Sequence, residues 1–199
     1  RGSIWAKTEK YAAALKDYQK AYRQHKTKEN SSSLGLCYLY AKDYFNAESI
    51  FREGLLLYDE NLNFKKGLLQ CLLLQERYRE AVALAESLMI ISPLDKELLA
   101  LAGQIYRQLG DNDKAWENYT LLYLQGGIAK KDLESLFDLA LNKKLISKAE
   151  KFADEIVARK EDISKNRITH LVLSYLQNNQ YEKAEKWITI ASKQGKYEK

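Results

Sequence analysis

What most constrains this chain is a spacing. The four-residue elements "YAAA", "YFNA", "YREA", "NDKA", "ISKA" and "YEKA" each close on an alanine, at Ala14, Ala47, Ala81, Ala115, Ala149 and Ala184. Successive anchors lie 33, 34, 34, 34 and 35 residues apart. A period this regular along 199 residues marks a stack of short units, each too small to bury its apolar face without a neighbour.

Further columns fall into the same register. Twelve residues before the anchors lie Gly35, Leu69, Gly103, Phe137 and Val172; nine before lie Tyr38, Leu72, Tyr106, Ala140 and Tyr175. Four after them come Tyr18, Phe51, Ala85, Tyr119, Ala153 and Ile188; seven after come Ala21, Gly54, Leu88, Leu122, Ile156 and Ala191. Separations of three, four and seven place residues on one face of an α-helix. Each unit therefore reads as two amphipathic helices, parted by short polar turns such as "AKD", "GDND" and "NNQ". Composition agrees: 46% hydrophobic residues supply a core, while one proline and nine glycines leave little material for loops. No apolar run approaches the roughly 18 residues of a membrane span; "SLMIIS" (87–92) is far too short.

With these columns in place the chain resembles the tetratricopeptide repeat family, whose pattern is W-x2-L-G-x2-Y, then A-x3-F, then Pro. "LGLCY" (34–38) with "AESIF" (47–51), and "AGQIY" (102–106) with "AWENY" (115–119), match it best, and Pro93 in "ISPLD" takes the proline position. The resemblance covers nearly the whole chain. It implies an all-α fold, a right-handed α-solenoid of antiparallel helix pairs with about six repeats in one superhelix over 1–199. The repeats run approximately 1–28 (partial), 29–61, 62–95, 96–129, 130–163 and 164–199. Gly35, Tyr38, Ala47, Ala81, Pro93, Gly103, Tyr106, Ala115, Tyr119, Ala149 and Ala184 form the structural signature.

Gly35 and Gly103 sit inside helices, where glycine costs roughly 1 kcal/mol against alanine. The expectation is that a missing Cβ lets two backbones approach. Repeat five lacks both glycine and aromatic at these columns and follows Gly126-Gly127, read as a tight turn in preference to a hinge. Trp5 falls at the aromatic position of a first helix already under way, and no amphipathic capping helix follows "ITIASKQGKYEK". Since solenoids need capped ends, the chain reads as a segment of a longer protein.

Catalytic constellations are not expected. His25 and His170 lie 145 residues apart, and there is no HExxH pair, P-loop, GxGxxG after a strand or GxSxG elbow. Acidic pairs Asp111/Asp113 and Glu161/Asp162 fall at turns and read as caps. Cys37 and Cys71 occupy equivalent positions, so stacking would hold them about 8–10 Å apart, beyond disulfide reach. Metal, cofactor and catalytic residues are therefore all assigned as none.

In this family the first helix of each repeat lines a concave groove through positions two, five, nine, twelve and thirteen. Carried over by register, the resemblance places Leu36, Leu39, Tyr40, Lys66, Gln70, Leu73, Gln104, Arg107 and Gln108 on a partner-binding face. Leu39, Leu73 and Arg107 share position twelve and are expected to form one exposed surface. Chaperone-binding members grip a C-terminal carboxylate with lysine at position five and asparagine at nine; Lys66 matches, but Gln70 replaces the asparagine, so that clamp is not assembled. The reading is a non-catalytic scaffold holding a protein or peptide partner within a larger assembly, including subunits of a membrane-associated one, with self-association through uncapped ends. The alternative is a repeat arm of a bacterial polysaccharide-export or secretion machinery, or of a multidomain enzyme. Nucleic acid is not expected: residues 1–33, 34–141 and 142–199 carry +5, −5 and +5, which is no continuous basic face. Direct membrane insertion is not expected either, and the compartment is left open.

Overall fold

The computed structural model describes residues 14–59 and 61–194. Trp5 and the start of the first repeat lie outside them. Every regular element among the described residues is an α-helix: α1 (14–24), then α2 Lys28–Tyr40, α3 Tyr44–Leu57, α4 Leu62–Leu74, α5 Tyr78–Ile91, α6 Lys96–Gln108, α7 Asn112–Leu124, α8 Lys130–Asn142, α9 Ile146–Ala158, α10 Lys165–Gln177 and α11 Tyr181–Gln194. The first helices α2, α4, α6, α8 and α10 thus begin in steps of 34, 34, 34 and 35 residues, the period of the sequence.

The chain divides into two compact units, one ending at Asp111 and the other starting at Asn112. In the first, α2 through α5 each pack on the next helix in the chain, and the first helices also touch each other, α2 on α4 and α4 on α6. In the second, α7 through α10 do the same, with α8 on α10. Each unit is a solenoid stack of helix pairs.

Local chemistry sets the helix ends. Thr27, Asp43, Asn61, Asp95 and Ser164 accept backbone N–H bonds as N-caps, each worth about 1 kcal/mol. The turn inside each repeat is more informative. Asp43 N–H donates to the Tyr38 carbonyl, Arg77 to Leu72, Asp111 to Tyr106, Leu145 to Ala140 and Gln180 to Tyr175. These are the six-to-one bonds of a Schellman turn, whose penultimate residue must be left-handed. That residue is Lys42, Glu76, Gly110, Lys144 or Asn179, with φ of 62°, 60°, 79°, 58° and 55°. Only repeat four uses glycine there, which is why the motif escaped the sequence reading. Gly126 and Gly127 both have φ of 71°, and Gly126 N–H bonds the Tyr123 carbonyl at 3.0 Å, turning the chain towards α8.

The anchor alanines are core: Ala47, Ala81, Ala115 and Ala149 are fully buried, and Ala184 nearly so. Gly35 behaves differently from expectation. A Cβ there would lie 2.6 Å from Cε1 of Phe51, so an aromatic ring, and not a second backbone, fills the space. Gly103 is buried. In repeat five Phe137 replaces glycine and Ala140 replaces the aromatic, and both are fully buried. The large and small residues have exchanged columns. In repeat six Ile188 is exposed and Trp187 takes the buried place. Cys37 and Cys71 are buried thiols with no disulfide between them.

Candidate functional site

The residues assigned to the groove face separate into three groups. Leu36 and Tyr40 on α2 are exposed, at 39% and 61%. Leu39 and Leu73 are not: they are 6% and 5% exposed and belong to the core, which corrects the expectation of an exposed leucine row. The first helices of this unit pack directly on each other, so position twelve lies on a flank that the stack covers. A leucine gains roughly 1.5–3 kcal/mol by burial there. Arg107, in the same column on α6, stays exposed, as a long charged side chain keeps its head in water. Gln104 is half-buried and Gln108 exposed.

Lys66 and Gln70 join Leu36 around a single feature. Ser32 and Leu36 from α2, Asn63, Lys66, Gly67 and Gln70 from α4, Glu97 from α6 and the Phe51 ring from α3 line a cleft of about 210 Å³. Six of these eight residues stand at positions two, five or nine of their repeats. The other two make the floor. Phe51, only 1% exposed, reaches from α3 to the seam between α2 and α4, where a Cβ on Gly67 would stand 2.5 Å from its Cζ. Phe51 can form the floor only because residue 67 has no side chain. Gly67 is outside the family's glycine column, so the register did not single it out. Tyr40, Leu39, Leu73, Gln104, Arg107 and Gln108 do not line the cleft.

The rim carries charge. Lys66, 9% exposed, places Nζ 2.6 Å from Asp95 Oδ2 and 3.1 Å from Glu97 Oε2. Burial alone would lower the ammonium pKa, but the bonds it donates to both carboxylates hold it above its usual value. Burial would likewise raise Asp95, and the Lys66 bond together with the Leu98 amide it caps holds it down. Lys66 is therefore committed within the protein. Glu97, whose side chain is 61% exposed, is the carboxylate that still faces solvent.

Two features of this unit were missed. Glu48, 8% exposed, accepts bonds from Arg52 Nε at 2.8 Å, Gln75 Nε2 at 2.8 Å and Arg77 Nη1 at 2.7 Å. Burial pushes its carboxyl up, but these three donors outweigh that and hold it below 4.5. Arg52 stands one turn on, at i+4, but Gln75 and Arg77 lie 27 and 29 residues away, so no local pattern betrays those two. The second feature is an outward row of aliphatics on α3 and α5: Leu56, Leu57, Ile90 and Ile91 are 87%, 52%, 84% and 63% exposed. The 34-residue step from Leu56 to Ile90 was a readable signal. Among the described residues no cluster of three or more His, Cys, Asp or Glu is arranged to hold a metal, and no helix is long and apolar enough to cross a membrane.

No family model matches the chain. Over 117 residues, 57% of the chain, it is 32% identical to the BBSome complex member BBS4 of Bos taurus, and it spans about a fifth (22%) of that protein's length. Among solved structures it is similar to PilF of Pseudomonas aeruginosa, with a TM-score of 0.75 at 14% identity over 94% of this chain and 85% of that one. It is also similar to a tetratricopeptide repeat protein from Parabacteroides merdae, with a TM-score of 0.65 at 13% identity over 96% and 76% of the two chains.

Proposed function

We propose that this chain, which has the fold of the tetratricopeptide-repeat proteins, is a non-catalytic interaction scaffold that holds a short segment of a protein partner on the first helices of its N-terminal unit. The observation that carries the reading is the cleft over Phe51 and Gly67. Its floor is apolar, its rim is polar, and at about 210 Å³ it is large enough for one aliphatic side chain. Small apolar sockets of this kind anchor helix-in-groove and extended-peptide recognition, where one buried side chain sets the register of the rest. Tyr40, exposed one turn after Leu36 on α2, extends the contact beyond the socket. That BBS4 is named as a member of a complex fits a subunit role.

The test is selection of a random 12-residue peptide library on the immobilised chain, followed by backbone NMR titration of an enriched peptide. Shifts clustered on Leu36, Gly67 and Gln70 are expected. A library that yields no binder, or binders whose shifts fall on α3 and α5 alone, would defeat the proposal.

A further inference from the structure

Resting on that reading, we infer that the cleft is selective for a basic partner: an aliphatic side chain in the socket with lysine or arginine about one turn away. The position-five lysine, which would attract a carboxylate were it unopposed, is here matched by two carboxylates. Lys66, Asp95 and Glu97 sum to −1, and the geometry distributes that charge unevenly. Lys66 is nearly buried and has two of its three donors occupied at 2.6 and 3.1 Å. Asp95 spends Oδ2 on Lys66 and Oδ1 on the Leu98 amide at 2.9 Å. Only Glu97 stands at the rim with most of its side chain in solvent. The remaining lining groups, Ser32, Asn63 and Gln70, are neutral. An incoming carboxylate thus meets an exposed carboxylate, and Lys66 offers it a single remaining donor on a nearly buried ammonium. An incoming ammonium or guanidinium meets an acceptor at the mouth, and arginine fits it best because its paired donors match a carboxylate fork. The surrounding sequence reinforces the sign, since residues 34–141 hold 16 acidic against 11 basic side chains.

The experiment uses three blocked helical 12-residue peptides identical except for the residues four before and four after a central leucine: both lysine, both glutamine or both glutamate. Affinities for the whole chain are measured by calorimetry in low salt and in 0.5 M salt. The lysine peptide is expected to bind about tenfold tighter than the glutamate peptide, with the gap narrowing in high salt. Glu97→Gln should reduce the gap to about twofold, and Glu97→Lys should reverse it. Lys66 keeps Asp95 in both variants, and equal melting temperatures verify that the fold is intact.

A glutamate peptide that binds as well as the lysine peptide, or a preference that survives Glu97→Lys, overturns the inference. Leu36→Gln distinguishes this from a wrong site. If it weakens all three peptides while they bind equally, the cleft is the socket and only the charge selectivity fails. If it changes none of them, or if no peptide binds at 1 mM, the cleft reading fails and the inference with it.

Discussion

The Phe51 ring occupies the place where a side chain on Gly67 would stand, with Cζ only 2.5 Å from the ideal Cβ position. The same ring closes off Gly35, at 2.6 Å. Two glycines on neighbouring first helices thus make room for one aromatic from the second helix between them in sequence. Gly67→Ala should destabilise the protein by about 1–3 kcal/mol, the usual cost of overpacking. Phe51→Leu in the same chain should recover part of that loss. Urea denaturation of the two single variants and the double variant measures the coupling, and strict additivity would show that ring and glycine do not compete.

Leucines once assigned to a binding surface now serve as a probe of burial. Leu39→Glu or Leu73→Glu places an unpaired carboxylate in the core, at a cost of several kcal/mol, and should abolish cooperative melting or lower it steeply. Leu36→Glu, at an exposed site, should leave the melting temperature nearly unchanged. Circular dichroism melts of the three variants decide the matter.

The left-handed turn residues predict opposite effects of glycine and alanine. Left-handed backbone costs a residue with a Cβ about 1–2 kcal/mol, and glycine's extra unfolded freedom returns about 0.5–1 kcal/mol of that. Gly110→Ala should therefore destabilise by roughly 0.5–1 kcal/mol, while Glu76→Gly or Lys144→Gly should stabilise by a similar amount. Equilibrium denaturation resolves shifts of that size when curves are fitted with a common slope.

Glu48 makes stability depend on acid. Its folded pKa lies below the ordinary 4.5, so the unfolded state binds the proton more readily. The stabilisation is present in full above about pH 4.5 and fades as pH falls through the folded value. Glu48→Gln should be less stable than the parent at pH 6, and the difference should shrink towards pH 3. A difference that grows on acidification would reverse the sign argued here.

Burial and the nearby Glu48 charge push the Cys71 thiol up to about 12. Little thiolate exists at pH 8, and none of it is at the surface. Iodoacetamide should label the native chain far more slowly than the urea-unfolded chain, and mass spectrometry under oxidising conditions should find no Cys37–Cys71 disulfide.

The period was legible because a repeat stack copies one backbone unit, so helix starts and anchor alanines follow from spacing alone. Side-chain exposure was less so: position twelve holds Leu39, Leu73 and Arg107, yet the stack covers only the leucines. The left-handed turns were hidden because Lys42, Glu76, Lys144 and Asn179 carry no glycine to announce them. The socket was half legible. Leu36, Lys66 and Gln70 came from the register, whereas Gly67 and Phe51 come together only in three dimensions.

Glu48 has one further consequence, for the order in which the N-terminal unit comes apart. Its donors sit on its own helix and on the turn of the following repeat, so the joint between repeats two and three carries a coupling that packing alone would not supply. In a linear array, stability is the sum of each module's own term and its couplings to neighbours. A module that opened here would strand a carboxylate and a guanidinium that had shared one bond, so the two modules are tied to a single opening event. Opening at this joint therefore breaks more than packing, and the floor of the cleft, where Phe51 of repeat two meets Gly67 of repeat three, is built across it.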